Sequence, residues 1–208
     1  MRVFVYVDGF NLYYRALKNT PYKWLNLVEL SKRLAPHADD TVEAVRYFTA
    51  RVSARSGSPD APRKQQIYLS ALGTLPDVEI HYGKFLPKTK RRPLVADPTR
   101  FVEIHDTEEK GSDVNLAVHL LNDGWQKKYD VALVLSQDTD LIEPIRMVTR
   151  DLNLKVGLVQ LDGGRPNRDL AQAASFIRHV KPGYLRSAQF PGRIRRVDGS
   201  IIEKPMGW

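Results

Sequence analysis

The sequence has no cysteine. That excludes disulfide frameworks, zinc ribbons, iron–sulfur clusters and thiol nucleophiles, and it fits a reducing compartment, so a cytoplasmic location is expected. No apolar run reaches the ~18 residues that a membrane span needs, so no membrane partner is expected. The first residues run straight into a strand-like segment, without the basic, apolar and small-residue regions of a secretory leader. Nucleotide fingerprints are missing too: the segment from Asp8 to Tyr14 (DGFNLYY) lacks the glycine spacing of a dinucleotide site, and there is no Walker A motif. There is no internal repeat and no low-complexity tract. Negative charge is in deficit: 32 Lys+Arg against 24 Asp+Glu leave a formal +8. That surplus points to an anionic partner without saying which.

What is present is a globular chain. It has 208 residues, 42% of them hydrophobic and 27% charged, enough for one domain that buries roughly 70% of its unfolded surface. Arg2 to Val7 (RVFVYV) and Val131 to Leu135 (VALVL) are apolar on both faces, as strands covered on both sides are. Further strands are read at Val42 to Val52, Val78 to Phe85 and Lys155 to Gln160, with a short edge strand at Phe101 to His105. Helices are read at Phe10 to Lys18, Leu25 to Leu34 with Asn26 as N-cap, Arg63 to Leu72, Asp113 to Lys128, Leu141 to Leu152 and Asp169 to Phe176. Ser53 to Pro62 is read as a loop, and Lys84 to Arg100 as a flexible, proline-broken basic loop. Strands alternating with helices of this length imply parallel βαβ units and a three-layer α/β/α sandwich with a mainly parallel central sheet. Past Pro182 the pattern changes. Asp198-Gly199 between two β-prone arms signals a hairpin in a small C-terminal extension.

In such sheets ligands sit beyond the carboxyl ends of the strands. Asp8 directly follows the first buried strand, with Asn11 one turn on, and Ser136-Gln137-Asp138-Thr139-Asp140 directly follows VALVL. Asp113 precedes Leu116, Ala117, Leu120 and Leu121 and so begins the buried stripe of its own helix. Four carboxylates, Asp8, Asp113, Asp138 and Asp140, can therefore converge at one end of the sheet. Two like charges ~4 Å apart repel by about 1 kcal/mol in water and about 4 kcal/mol at an effective dielectric of 20. Protons or a cation must relieve that, and oxygen-only ligands point to a hard ion, Mg²⁺ or Mn²⁺. A hard ion in a basic protein points to phosphodiester chemistry with a metal-activated water. Plainer readings stand beside this one: Asp140 and Glu143 form a capping box, Ser112 or Asp113 caps its helix, and Asp8-Gly9 is an ordinary turn.

Three segments also resemble a family. VYVDGFNLYY (5–14), EEKGSDVNLAVHLLNDGW (108–125) and LVLSQDTDLIEPIRMV (133–148) are similar to the bacterial LabA-like branch of the NYN-domain proteins, within the PIN-like nuclease superfamily. The resemblance implies a PIN-like fold over residues 1–182, with 183–208 as an extension packing on or flanking it. It also implies metal-dependent endoribonuclease activity, a hydrolysis leaving a 5′-phosphate and a 3′-hydroxyl. It places the acidic site on Asp8, Asp113, Asp138 and Asp140, with Asn11 beside it. Where the family often has Gly, this chain has Gln137, which bears on the shape of that loop.

Under this reading Asp8 and Asp138 are the primary metal ligands, Asp113 and Asp140 hold the metal or orient the nucleophile, and Asn11 fixes a carboxylate or the phosphate. Single-stranded or structured RNA is the expected partner. Lys110, Lys88, Lys90, Arg91 and Arg92 are the candidate phosphate contacts, with a solvated basic loop as the alternative. Tyr13, Tyr14 and Trp24 are stacking faces or core. Ser136 and Thr139 bond phosphate or nearby backbone. His37, His81, His105, His119 and His179 show no ligand spacing. A catalytically weak or inactive RNA-binding module of the same fold is the alternative function. A haloacid-dehalogenase-type phosphatase is disfavoured because the position two after Asp8 is Phe10, not an acid. The RNA target, the number of metals, the pathway and whether the chain forms a homo-oligomer stay open.

Overall fold

The computed structural model describes residues 1–54 and 57–208. Within the expected Ser53 to Pro62 loop, Arg55 and Ser56 lie outside the described residues. Arg2–Asp8 (β1), Thr41–Thr49 (β2), Val78–Tyr82 (β3), Val131–Leu135 (β6), Lys155–Gln160 (β7) and Phe176–His179 (β8) form one sheet in the order β3-β2-β1-β6-β7-β8. Each neighbouring pair in it is parallel.

Period-two alternation along the central strands makes two cores from one sheet. Val3, Val5 and Val7 of β1, with Val131, Leu133 and Leu135 of β6, face a layer formed by Gly9–Leu12 (α1), Leu27–Leu34 (α2) and Ala61–Leu72 (α3). Phe4, Tyr6, Ala132 and Val134 face the other layer, where Leu116 and Leu120 of Ser112–Trp125 (α4), Ile145 of Ile142–Arg146 (α5) and Leu170 of Arg168–Ala173 (α6) are buried. The fold is thus the three-layer α/β/α sandwich expected from the alternation of elements. Asn26 caps α2 as its position suggests, its Oδ1 accepting from the Val28 and Glu29 amides at 3.0 and 3.1 Å.

Several elements differ from the reading of the sequence. The helix expected from Phe10 to Lys18 is α1 followed by a π-helical turn over Tyr13–Leu17. The strand expected from Val78 to Phe85 breaks at Gly83. The basic stretch after it is not a flexible loop: Lys84–Pro93 (β4) pairs antiparallel with Phe101–Lys110 (β5) in a two-stranded ribbon ten pairs long. The short edge strand expected at Phe101 to His105 therefore continues through Lys110. The last expected helix stops at Ala173, and Phe176–His179 becomes the edge strand β8.

In the tail, Pro182–Ser187 forms a short helix, α7, that the sequence reading missed. The hairpin signal is realised by Arg193–Arg195 (β9) and Ile201–Glu203 (β10), with Gly199 in the left-handed region at φ +84°. The tail joins the core through Phe190, Ile202 and Trp208, and Trp208 packs on Trp24 and Tyr68. Among the described residues no helix is long and apolar enough to cross a membrane.

Candidate functional site

The chain leaves β1 toward β2 and β3, and leaves β6 in the opposite direction, toward β7 and β8. The carboxyl ends of β1 and β6 therefore flank the point where strand order reverses, the usual place for a ligand crevice. Asp8 closes β1 there, only 3% exposed. One of its oxygens accepts from the Phe10 and Asn11 amides at 3.0 and 2.9 Å, the other from Asn11 Nδ2 at 2.7 Å and Ser136 Oγ at 2.9 Å. The Asn11 amide is fixed in turn, because its Oδ1 accepts from Arg15 Nε at 3.0 Å and from the Gln137 amide at 3.3 Å. Arg15 itself pairs with Asp162 at 2.9 Å. Gly9 allows the turn to press on β2: a Cβ there would lie 2.6 Å from the Tyr47 hydroxyl and 2.9 Å from the Phe48 carbonyl.

Asp138 is half-buried and caps the following turn by accepting from the Asp140 amide at 3.0 Å. This replaces the capping box read between Asp140 and Glu143. Asp140 itself is exposed. Gln137 keeps ordinary backbone, since Lys127 and Asn153 are the non-glycine residues with positive φ among those described. Its side-chain amide is buried without a partner there.

Asp113 stands in the first turn of α4, half-buried. Burial first, and then the charges of Asp8, Asp138, Glu109 and Asp140, push its carboxyl up to about 6. Neither expected cap serves α4. Gly111 takes the N-cap position at φ +97°, and Glu109 accepts from the Ser112 amide and hydroxyl at 3.2 and 2.8 Å. Glu109 is the acid that sequence reasoning passed over. Its place two residues before the Gly111-Ser112 start of the helix was the available signal.

Asp8, Asp113, Asp138 and Glu109 line one cleft of about 1080 Å³ that is also lined by Lys18, Lys23, Lys64, Tyr14, Tyr68 and Trp208. The donor chemistry suits a hard cation. As arranged, however, no group of three acids or histidines among the described residues is placed to hold a metal. The four donors on Asp8 account for the accepting capacity of its carboxylate.

The basic candidates are not free as a set. Lys110 Nζ donates to Glu108 at 2.6 Å, Lys90 pairs with Asp106 at 2.5 Å, and Lys88 lies 3.7 Å from Glu108. The strand pairing brings the acids of β5 beside the lysines of β4. Arg91 lies over the Phe101 ring, 4.6 Å from its centroid, and Arg92 is exposed. Trp24 is core, with Nε1 donating to the Pro191 carbonyl at 2.8 Å. Ser136 Oγ receives the Asp138 amide at 3.2 Å and serves Asp8 rather than standing free. His81 and His119 meet with ring centroids 4.0 Å apart, a pairing of β3 with α4 that no spacing along the chain announces.

Fold and cleft together define a parallel α/β sandwich with an acidic crevice at its switch point. No family model matches the chain. It is 30% identical over 240 aligned positions to the 6-hydroxy-3-succinoylpyridine 3-monooxygenase HspA of Pseudomonas putida, with all of this chain and 75% of that protein covered, and it belongs to that protein's family. A Vibrio parahaemolyticus protein of unknown function shares the fold at a TM-score of 0.55 and 17% identity, over 87% of this chain and 93% of that one. The relative corrects the enzyme class expected from the sequence. A metal-dependent ribonuclease is a hydrolase, whereas the relative is a monooxygenase and hence an oxidoreductase.

Proposed function

We propose that the cleft is an RNA-binding site in which a hard divalent cation, Mg²⁺ or Mn²⁺, is drawn among Asp8, Asp113 and Asp138. The single observation that carries this reading is the crowding of acids around Asp113, in a chain with a surplus of positive charge. Such a cluster gains from a cation between its members, and a bound cation turns a phosphate-repelling surface into a phosphate-accepting one. Lys18, Lys23 and Lys64, which line the same cleft, add sequence-independent attraction for the backbone. The resemblance to NYN-domain proteins supports the same partner. A cation entering here displaces a donor from Asp8 or is held chiefly by Asp113 and Asp138.

The test is binding of a labelled RNA with and without Mn²⁺. Wild type is expected to bind about tenfold more tightly with the ion, and Asp138→Asn and Asp113→Asn to lose that gain. Equal affinity with and without Mn²⁺ in the wild type would sink the proposal.

A second reading rests on the family relative. Its name gives it a substituted pyridine as substrate, and the aromatic and lysine side chains among those lining this cleft suit a ring that carries an acid. Substrate-dependent oxygen uptake with 6-hydroxy-3-succinoylpyridine and a nicotinamide reductant tests it, and no uptake beyond the buffer blank would remove it.

A further inference from the structure

Resting on the RNA-binding reading of the cleft, we infer that one face of the β4–β5 ribbon continues the binding surface, and that Arg91 and Phe101 on that face grip the RNA while Lys88, Lys90 and Lys110 do not. The register decides which side chains share a face. Residues opposite one another in an antiparallel pair point the same way, and faces alternate along each strand. Phe85 is opposite Glu109 and Pro87 opposite Thr107, and these four line the cleft. Two steps outward on the same face come Thr89 and His105, then Arg91 opposite Glu103, then Pro93 opposite Phe101. Phe85 roots the face against Phe10, with ring centroids 5.6 Å apart.

On the other face, which carries Lys84, Lys88, Lys90, Arg92 and Lys110, the three lysines Lys88, Lys90 and Lys110 are engaged by Asp106 and Glu108. Lys88 stands there opposite Asp106 and Leu86 opposite Glu108, and the Lys90–Asp106 and Lys110–Glu108 pairs form. On the cleft-side face the Arg91 guanidinium lies over the Phe101 ring rather than on a carboxylate, and Phe101 is 49% exposed. A guanidinium whose donor edges are not taken up by an acid is suited to a phosphate, and an exposed ring beside it is suited to an unstacked base. What the face continuous with the cleft offers is therefore not a surplus of charge but one guanidinium beside an exposed ring, while the lysines opposite are held by acids.

The experiment compares matched single-charge removals on the two faces, Arg91→Gln and Lys88→Gln, by fluorescence anisotropy with a labelled uridine 12-mer across a salt series. Arg91→Gln is expected to weaken binding about tenfold and to lower the salt slope by about 0.7, one backbone contact on a single strand. Lys88→Gln is expected to stay within about twofold of wild type. Arg91→Lys, which keeps the charge, is expected to recover most of the affinity, so a loss in Arg91→Gln that comes from a misfolded ribbon is recognised by the absence of that recovery and overturns the assignment. Phe101→Ala is expected to weaken the uridine 12-mer about fivefold and an abasic 12-mer hardly at all. Equal losses at Arg91 and Lys88, or none at Arg91 while wild type binds in a manner dependent on Asp138, overturn the facial assignment and leave the cleft reading standing. Wild type that binds no RNA overturns both.

Discussion

Asp113 and Asp123 sit ten residues apart on the same helix, and they live in opposite electrical worlds. Asp123 is 1% exposed and fully answered. One oxygen accepts from Arg46 Nε at 2.6 Å and the Tyr6 hydroxyl at 2.9 Å, the other from Arg46 Nη2 at 3.1 Å and Lys128 Nζ at 3.2 Å. Arg46 also pairs with Glu79 of β3, so the cluster ties β1, β2, β3 and α4 together. Asp113, one end of the helix away, faces Asp8, Asp138, Glu109 and Asp140 and is pushed up to about 6. The compensated carboxylate fastens the layers. The uncompensated one is held in place by a fold that does not satisfy it, which is how groups that await a ligand are commonly recognised.

The largest expected effect breaks the compensated side. Asp123→Ala leaves the Arg46 guanidinium buried without its main partner and is expected to cost about 3–5 kcal/mol in urea unfolding. A loss under 1 kcal/mol would show that Asp123 is not a fastening group. Asp113→Asn carries the opposite sign. A carboxyl held above its ordinary value binds its proton more tightly when folded, so the wild type loses stability as pH rises from about 4 through about 6. The substitution is therefore expected to stabilise the apo protein by roughly 1 kcal/mol at pH 7, after allowance for solvent screening at a half-buried site, and by nothing below about pH 4. Melting temperatures across that range check it, and a gain that persists at pH 4 would point to packing instead.

The smallest effect concerns the histidines that border the compensated cluster. Burial first, with the neighbouring His119 and Arg46 next, holds His81 below its ordinary value. His119 is lowered by burial and then by Arg46, against the opposing pull of Asp123 and Glu79, with Lys128 adding to the lowering. Both are thus favoured neutral in the fold. Their contribution is present above about pH 6.5 and is lost as pH falls below it. His119→Phe is expected to flatten stability between pH 7 and 5 relative to wild type, and imidazole resonances titrating at their ordinary position in the folded protein would refute the assignment.

Much of the frame was legible along the chain. RVFVYV and VALVL read as two-sided strands because each of their faces meets an apolar layer, and the acids after them fell at the carboxyl edge for the same reason. Asn26 and Asp198-Gly199 were readable because a cap and a tight turn are local chemistry. Asp123 was legible in principle: it lies seven residues after Leu116 and three after Leu120, on the buried stripe of α4. What failed to show were effects of distant strands. The ribbon was read as a basic loop because Glu103, Asp106, Glu108 and Glu109 lie beyond its turn, and only the antiparallel register sets Asp106 opposite Lys88 and Glu103 opposite Arg91 and brings Glu108 within reach of Lys88 and Lys90. Edge strand β8 was missed because four residues carry too little pattern to outvote the helix before them.

By itself the sequence determined a parallel α/β sandwich, an acidic edge at the ends of β1 and β6, and oxygen rather than sulfur as the donor available there. These follow from patterns within single segments, where a residue's neighbours in the chain are also its neighbours in space. The tertiary structure alone decided which charges are answered. It gave Asp123 an arginine from β2, gave Asp8 the Ser136 hydroxyl from beyond β6, engaged Lys88, Lys90 and Lys110 of the ribbon with Asp106 and Glu108, and left Asp113 among like charges. The compensating partner of a buried charge is set by strand order and register, and segments far apart in the chain supply it.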